Sequence, residues 1–146
     1  MKDAFGGILN LALVVVFLMI VSGVLGLTVS YTKAFNFKNY VISTIEKYEG
    51  NKGCFDSSIN GDCLNAIRNK ANRIGYARTF NNSCPSGYDD QPPVDNLFCY
   101  KEEYNGSNVY KYKVITRIDV NIPIIKNIFY LPFFQVSGDT RLIKKR

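Results

Sequence analysis

The sequence predicts an α+β protein in which a long N-terminal transmembrane and amphipathic helix packs on a small antiparallel β-sheet, with a short second helix. Three observations support this fold class. An uncharged run over positions 4–32 continues without proline into an amphipathic stretch that ends at Gly50. After Leu97 the pattern alternates between apolar and polar residues, as in strands with one buried face. Four cysteines, an even number, lie between positions 54 and 99.

The uncharged run is long enough to cross a membrane. A helix needs about 20 apolar residues to span the bilayer core, and this run has 29 uncharged residues, most of them apolar. A secretory signal has a shorter apolar region of about 7–15 residues after a basic leader, whereas the charges of this leader cancel. Small residues around Gly23 and Gly26 keep signal cleavage open as an alternative. We expect residues 1–32 to be a retained transmembrane half-helix.

The amphipathic stretch, residues 33–49, is expected to continue the same helix, from about Asp3 to Glu49. It contains no proline, and Gly50 is a natural C-terminal cap. At about 100° per residue its apolar side chains share one face, which must be buried against another part of the chain. A break at the membrane surface followed by a separate helix is the alternative. The predicted head-packing face consists of Ala34, Phe37, Val41, Ile45 and Tyr48.

Residues 50–146 are predicted to form one small domain that is cross-linked by disulfides. A domain of this size buries a thin core and benefits from cross-links. Sequence proximity favours the pairs Cys54–Cys63 and Cys84–Cys99, with unpaired thiols as the alternative. A zinc site is disfavoured because the chain has no histidine and no CxxC spacing.

A second helix is expected in this domain from about Asp62 to Ile74, ended by Gly75. Its apolar residues recur at helical spacing. The segment 81–96 is rich in Asn, Asp, Ser, Gly and Pro, so we expect it to be a loop. The shared apolar face of the helix consists of Leu64, Ile67, Ala71 and Ile74.

The strands are predicted to begin with a hairpin turning at Asn105-Gly106-Ser107. A three-residue loop pairs Tyr100 with Tyr112 and Phe98 with Val114, which places apolar groups on one face. The buried face of the second strand is expected to comprise Tyr110, Tyr112, Val114, Thr116, Ile118, Val120 and Ile122. A third strand is expected from about Phe133 to Ile143, with Phe134, Val136, Thr140 and Leu142 alternating. The apolar connection 122–132, interrupted by two prolines, is expected to be a packed loop or an interaction surface.

The composition disfavours an enzyme and indicates no cofactor or catalytic residue. Without histidine, the usual general base at neutral pH and the Ser-His or Cys-His pairs are missing. Neither Asp89 and Asp90 nor Glu102 and Glu103 form an acid–base pair, because the first two lie in a loop and the others on opposite strand faces. The basic tail, Arg141, Lys144, Lys145 and Arg146, is interpreted as a solvated terminus, with contact to anionic lipid head groups, cell-wall polymers or nucleic acid as the alternative. For the protein as a whole, no nucleic-acid partner is expected.

The predicted topology rests on the cysteines, because disulfides form outside the cytoplasm. We therefore expect a single-pass protein of the cell membrane with a cytoplasmic N-terminus and an extracytoplasmic C-terminal domain. The lysines that follow the uncharged run, Lys33, Lys38 and Lys47, favour the opposite orientation under the positive-inside rule. Whole domains translocate regardless of charge, so the cysteines take precedence.

The layout resembles that of type IV pilin-like proteins, and most closely the minor pilins of the TadE/TadG kind in tight-adherence secretion systems. The matching parts are the helix Ile8–Val29, the run Ile118–Pro123 and the run Phe134–Thr140. This resemblance implies a subunit of a bacterial surface filament or secretion apparatus. Its implied partners are membrane lipid, other pilin-like subunits, a platform protein and an assembly ATPase. Cleavage after Gly7 would put Ala12 where pilins carry a glutamate, which favours an uncut minor subunit.

Two further predictions concern surfaces. Ser22, Gly23 and Gly26 form a patch of small residues at which helices can approach closely, so we expect assembly there. The frequency of glycine in membrane helices is the alternative explanation. A different function, an anchored extracytoplasmic binding module, would be favoured if the sheet exposed several of its aromatic residues in one patch. Those residues are Phe98, Tyr100, Tyr110, Tyr112, Phe133 and Phe134.

Overall fold

The computed structural model describes residues 2–50, 54, 61–76, 84–88, 97–106, 108–118 and 134–144, with the backbone alone at positions 2–5 and 134. Helix α1 runs from Lys2 to Lys47 and α2 from Gly61 to Ile74. The strands are β1 (Phe98–Tyr104), β2 (Val109–Ile118), β3 (Phe134–Asp139) and β4 (Ile143–Lys144). This is the predicted α+β layout, and α1 has no break at the end of the uncharged run. Val120, Ile122, Phe133 and most of the predicted loop 81–96 lie outside the described residues.

The helices end where the sequence predicts, through backbone caps. The amide of Gly50 donates to the carbonyl of Ile45 at 3.0 Å, and that of Glu49 donates to Glu46 at 3.3 Å. This is a Schellman motif with Glu49 in the left-handed conformation at φ 55°. Gly50 (φ 88°) must be glycine for a second reason, because a Cβ there would lie 2.8 Å from the Tyr112 ring.

The sheet is antiparallel, with β2 paired to β1 on one side and to β3 and β4 on the other. The predicted hairpin register was wrong by two residues: Tyr100 pairs with Val114, and Phe98 with Thr116. The turn is longer than expected because Asn108, as well as Gly106, adopts a left-handed conformation. A shift of two residues preserves the alternation, so the same side chains face the core.

The predicted third strand is two strands separated by a bulge. Lys113 pairs with Asp139 and Tyr110 with Ile143. The three residues between β3 and β4, 140–142, therefore lie opposite only two residues of β2. The extra residue reverses the alternation beyond it. As a result Leu142, predicted to share the face of Thr140, is 55% exposed, and Ile143 is buried in its place.

The main core lies between the two helices and one face of the sheet. It contains Ile67 and Ala71 from α2 together with Phe98, Tyr112 and Val114 from the sheet. On the other sheet face a smaller cluster forms around Cys84, Cys99 and Ile115, which explains why Ile115 breaks the alternating pattern. The disulfides are Cys54–Cys63 and Cys84–Cys99, as predicted.

Candidate functional site: the exposed shaft of the long helix

The N-terminal part of α1, which we call the shaft (residues 6–33), is largely apolar and is exposed around most of its circumference. Large side chains between Ile8 and Tyr31 are mostly 40–70% exposed, for example Leu13 at 62% and Phe17 at 65%. By length and composition α1 is able to cross a membrane. An apolar helix that is not buried by its own fold requires another apolar environment.

Three hydroxyl groups on the shaft are paired with backbone carbonyls of the same helix. Ser22 Oγ lies 2.7 Å from the carbonyl oxygen of Leu18, Thr28 Oγ1 2.9 Å from that of Val24, and Thr32 Oγ1 2.8 Å from that of Thr28. Each hydroxyl therefore has an acceptor four residues earlier. This pairing removes much of the cost of placing a hydroxyl in hydrocarbon.

The predicted assembly patch lies in the middle of the shaft. Ser22 and Gly26 are exposed, whereas Gly23 is buried although its neighbours are exposed. At about 100° per residue Gly23 and Gly26 lie on the same side of α1 as the head-packing residues above them. Gly23 and Gly26 thus extend the head-packing face of α1 toward its N-terminus. Their role in assembly stays a prediction.

The described residues from Gly50 onward, which we call the head, are fixed to the upper part of α1. Ala34, Phe37, Val41 and Ile45 are fully buried, and Tyr48 is half-buried against the same core. These are the side chains predicted to form the head-packing face. The head is therefore packed on the helix over three turns.

Polar contacts reinforce this attachment at three heights. Thr116 Oγ1 lies 3.3 Å from the carbonyl oxygen of Ala34. Lys38 Nζ lies 3.4 Å from the carbonyl oxygen of Ser137, and the amide of Arg141 donates to Glu46 Oε1 at 2.8 Å. From Ala34 to Glu46 the helix rises about 18 Å at ~1.5 Å per residue. Val136 is the partner of Thr116 in the sheet, and from Val136 to Arg141 a strand advances about 16 Å at ~3.3 Å per residue. The two lengths are similar, so β3 runs alongside α1 in the direction away from the shaft.

A groove opens where the shaft meets the head. It has a volume of about 330 Å³, and its described walls are almost wholly apolar. Sequence reasoning missed this groove, because its walls come from three segments far apart in the chain. The described lining residues are Leu27, Thr28 and Tyr31 from α1, Ile118 from β2, and Gln135 and Val136 from β3.

Most of the aromatic residues of the sheet belong to the core, although Tyr104 of β1 is 63% exposed and its ring lies 5.2 Å from that of Tyr110. Phe98, Tyr100 and Tyr112 are buried, at 0%, 7% and 2% exposure, and Tyr110 is partly buried. Phe133 and the side chain of Phe134 lie outside the described residues. The exposed aromatic patch that would favour a binding module is thus not seen among the side chains described.

The two carboxylates in the middle of β1 are engaged by neighbouring side chains of the sheet. Within the described ranges, no three histidine, cysteine or carboxylate side chains converge as metal ligands. Glu102 accepts a hydrogen bond from the Tyr112 hydroxyl at 3.2 Å, and Lys101 pairs with Glu103 at 3.2 Å on the surface. Asp89, Asp90, Lys145 and Arg146 lie outside the described residues.

Fold and surface together define a class of protein: a small disulfide-bonded α+β head carried by a helix that is long and apolar enough to span a membrane. No family model matches the chain, and neither the curated proteins nor the solved structures contain a match to it.

Proposed function

We propose that this chain is a pilin-like, single-pass membrane protein, a minor or structural subunit of a bacterial surface filament or secretion apparatus. It acts by helix-mediated assembly and catalyses no reaction. Its partners are membrane lipid and other pilin-like subunits, with a platform protein and an assembly ATPase at the membrane.

One observation carries this proposal: α1 is continuous from Lys2 to Lys47, exposed along the shaft and buried under the head above it. A simple tether has no need of a helix that extends rigidly from lipid into a folded domain. A subunit that transmits position or force from the membrane to its head needs such a helix. The same continuity lets neighbouring shafts pack side by side while their heads keep a fixed orientation.

The orientation that we propose places the N-terminus in the cytoplasm and the head outside. Both disulfides lie in the head, and disulfides persist in oxidising compartments. The shaft contains no cysteine, so engineered cysteines in it have no native thiol nearby with which to exchange.

Cysteine cross-linking in membranes tests assembly through the shaft. We expect Gly23→Cys and Met19→Cys, which lie on the small-residue side, to form covalent dimers under mild oxidation. Val21→Cys and Val24→Cys lie on the opposite side of the helix at about 100° per residue and serve as matched controls. Equal cross-linking of both pairs, or none in either, would contradict a specific shaft–shaft interface.

The double change Gly23→Leu/Gly26→Leu provides the complementary test. We expect it to abolish the cross-linking of a Met19→Cys reporter, since bulky side chains prevent close approach of the helices. The same substitutions at Gly6 and Gly7, where a Cβ would meet no atom within 4 Å, should leave cross-linking intact. Intact-mass measurement of the purified chain checks in parallel that the shaft is retained.

A further inference from the structure

The turn between β1 and β2 places an asparagine directly before a glycine, Asn105 and Gly106. Two backbone hydrogen bonds close this turn. The amide of Asn105 donates to the carbonyl oxygen of Val109 at 2.9 Å, and the amide of Val109 donates to the carbonyl oxygen of Gly106 at 3.0 Å. Because β2 runs antiparallel to β3, the turn lies at the end of the sheet away from the shaft.

Two reactive groups of this pair make no hydrogen bond to the part of the chain that the structure describes. One is the side-chain carboxamide of Asn105, which is exposed. The other is the backbone amide of Gly106. Gly106 has a positive φ of 79°, and a Cβ there would meet no atom within 4 Å. The Gly106 nitrogen is therefore open to the side chain that precedes it.

We propose that Asn105 is a site of spontaneous deamidation through a cyclic imide. The Gly106 nitrogen attacks Cγ of Asn105, so an N–Cγ bond forms and the Cγ–Nδ2 bond breaks. Ammonia leaves and carries away the proton of the Gly106 amide. Water then opens the ring at either carbonyl, which gives aspartate or β-linked isoaspartate. Water is the only other reactant, and the reaction is independent of the proposed function.

Asn108 lies in the same turn and is also exposed, but its surroundings oppose the reaction. The amide that follows it, that of Val109, is held by the hydrogen bond to Gly106. The branched Val109 side chain also crowds the attacking nitrogen. Thus the two asparagines share one turn and one exposure class, and differ in the nitrogen that follows each of them.

Helical asparagines are protected for a similar reason. The amide that follows each of them donates to a carbonyl one turn earlier, and none of them is followed by glycine. The other Asn-Gly pair of the chain is at positions 60 and 61, and Asn60 lies outside the described residues. The helical asparagines are Asn10, Asn36, Asn39, Asn65, Asn69 and Asn72.

Deamidation alters the end of the hairpin in two ways. A carboxylate replaces a neutral carboxamide, so the head loses one unit of positive net charge. Isoaspartate also adds one atom to the backbone between the two hydrogen bonds that close the turn, and both bonds have to rearrange. The adjacent cross-strand pair is Tyr104 and Tyr110, whose rings are 5.2 Å apart. The β-linked product therefore loosens this last pair of the sheet.

Peptide mapping by mass spectrometry tests the proposal on the full-length, oxidised protein in vesicles. The protein is kept at physiological temperature in mildly alkaline buffer and sampled over time. We expect isoaspartate to accumulate at Asn105 while Asn108 stays unchanged, at a rate that rises in proportion to the hydroxide concentration. Isoaspartate identifies the cyclic imide, because direct hydrolysis of the side chain gives only aspartate. Absence of isoaspartate at position 105, or equal conversion of Asn108, would overturn the proposal.

Val109→Gly is the matched variant, because it gives Asn108 a glycine neighbour while its amide keeps the hydrogen bond to Gly106. Circular dichroism checks that the variant is folded. In the folded variant Asn105 should convert and Asn108 should not, whereas in urea, where the hydrogen bond is absent, both should convert. If Asn108 reacts as fast as Asn105 in the folded variant, the free amide of Gly106 does not select the site and the proposal fails.

Asn105→Gln removes the reactive side chain and keeps a carboxamide at the same position. Ring closure from glutamine would require a six-membered imide, which forms more slowly. We expect the hairpin peptide of this variant to keep its mass over the same period. A mass gain equal to that of the wild type would place the reaction elsewhere in the peptide and contradict the assignment to Asn105.

Discussion

At the scale of single residues, Tyr76 joins three parts of the head. It follows the cap of α2 at Gly75 (φ 65°) and stacks on Phe37 of α1 with ring centroids 4.4 Å apart. Its hydroxyl accepts from the amide of Arg117 at 3.0 Å and lies 2.9 Å from the carbonyl oxygen of the same residue. One side chain thus fixes α2, α1 and β2 relative to each other.

Tyr76→Phe isolates the contribution of this hydroxyl. The ring stays in place, but the backbone groups of Arg117 lose a partner in a part-buried setting. We expect the free energy of unfolding to fall by about 1–3 kcal/mol, as measured by denaturant unfolding in detergent. Tyr104→Phe, at a tyrosine that is 63% exposed, should change it by less than about 0.5 kcal/mol. Equal effects of the two would show that the Tyr76 hydroxyl has no special role.

Glu49 is a second residue whose backbone decides its energetics. Its φ of 55° lies in the left-handed region, which costs a residue with a Cβ about 1–2 kcal/mol. Glycine avoids this cost and loses roughly 0.5–1 kcal/mol of chain entropy in return.

We therefore expect Glu49→Gly to stabilise the head by up to about 1 kcal/mol. Thermal unfolding followed by circular dichroism measures the change. Glu49→Ala retains the Cβ and should bring no gain. A lower melting temperature for Glu49→Gly would mean that the glutamate side chain, and not the backbone, determines the stability of this cap.

At the scale of elements, the close packing of α1 on β3 depends on Gly138. A Cβ at this position would lie 2.8 Å from Ile42 Cδ1 and 3.0 Å from Lys38 Cε. Glycine therefore lets a helix and a strand that run side by side approach each other closely. Lys38, which is 7% exposed, covers this glycine while its amine lies over the Phe35 ring at 4.4 Å from the centroid.

Gly138→Val should destabilise the head by about 1–3 kcal/mol, the usual cost of overpacking. Ile42→Ala removes the atom nearest to the new side chain, so the double variant should lose less than the sum of the two single losses. Denaturant unfolding of all four proteins gives the coupling energy. Strict additivity would mean that α1 and β3 adjust without contact at this point.

At the scale of the whole molecule, the described residues from α1 to β4 form one continuous body around a shared core. Because β3 runs alongside α1, the position of a residue in the sheet measures its height above the shaft. The two disulfides lie on different sides of this body: Cys54 and Cys63 belong to the main core, and Cys84 and Cys99 to the cluster on the other sheet face.

Each disulfide should stabilise the head separately. The bridges close sequence separations of 9 and 15 residues, and loops of this size predict about 2.5–3 kcal/mol for each bridge in the chain-entropy account. We expect Cys54→Ala/Cys63→Ala and Cys84→Ala/Cys99→Ala each to lower the melting temperature of the oxidised protein. A variant with all four alanines should not respond to reductant. A wild-type head indifferent to reductant would contradict this assignment of stability.

The sequence by itself determined the features that depend on local pattern. The continuous helix, its buried face of Ala34, Phe37, Val41 and Ile45, the end at Gly50 and the two disulfides all follow from helical periodicity, cap chemistry and short separations along the chain. Each involves residues within about 15 positions of one another, and the uncharged run marks the shaft in the same way.

Only the tertiary structure decided the strand register, the bulge at 140–142, the close approach at Gly138 and the groove. The register depends on the left-handed backbone of Asn108. The alternation of apolar and polar residues does not reveal this register, since a shift of two residues leaves every side chain on the same face of the sheet. The bulge exposes Leu142 and buries Ile143 because one extra residue reverses the alternation. The groove joins Leu27 to Ile118 and Gln135, and contacts between residues so distant in the chain arise only when the helix and the sheet pack.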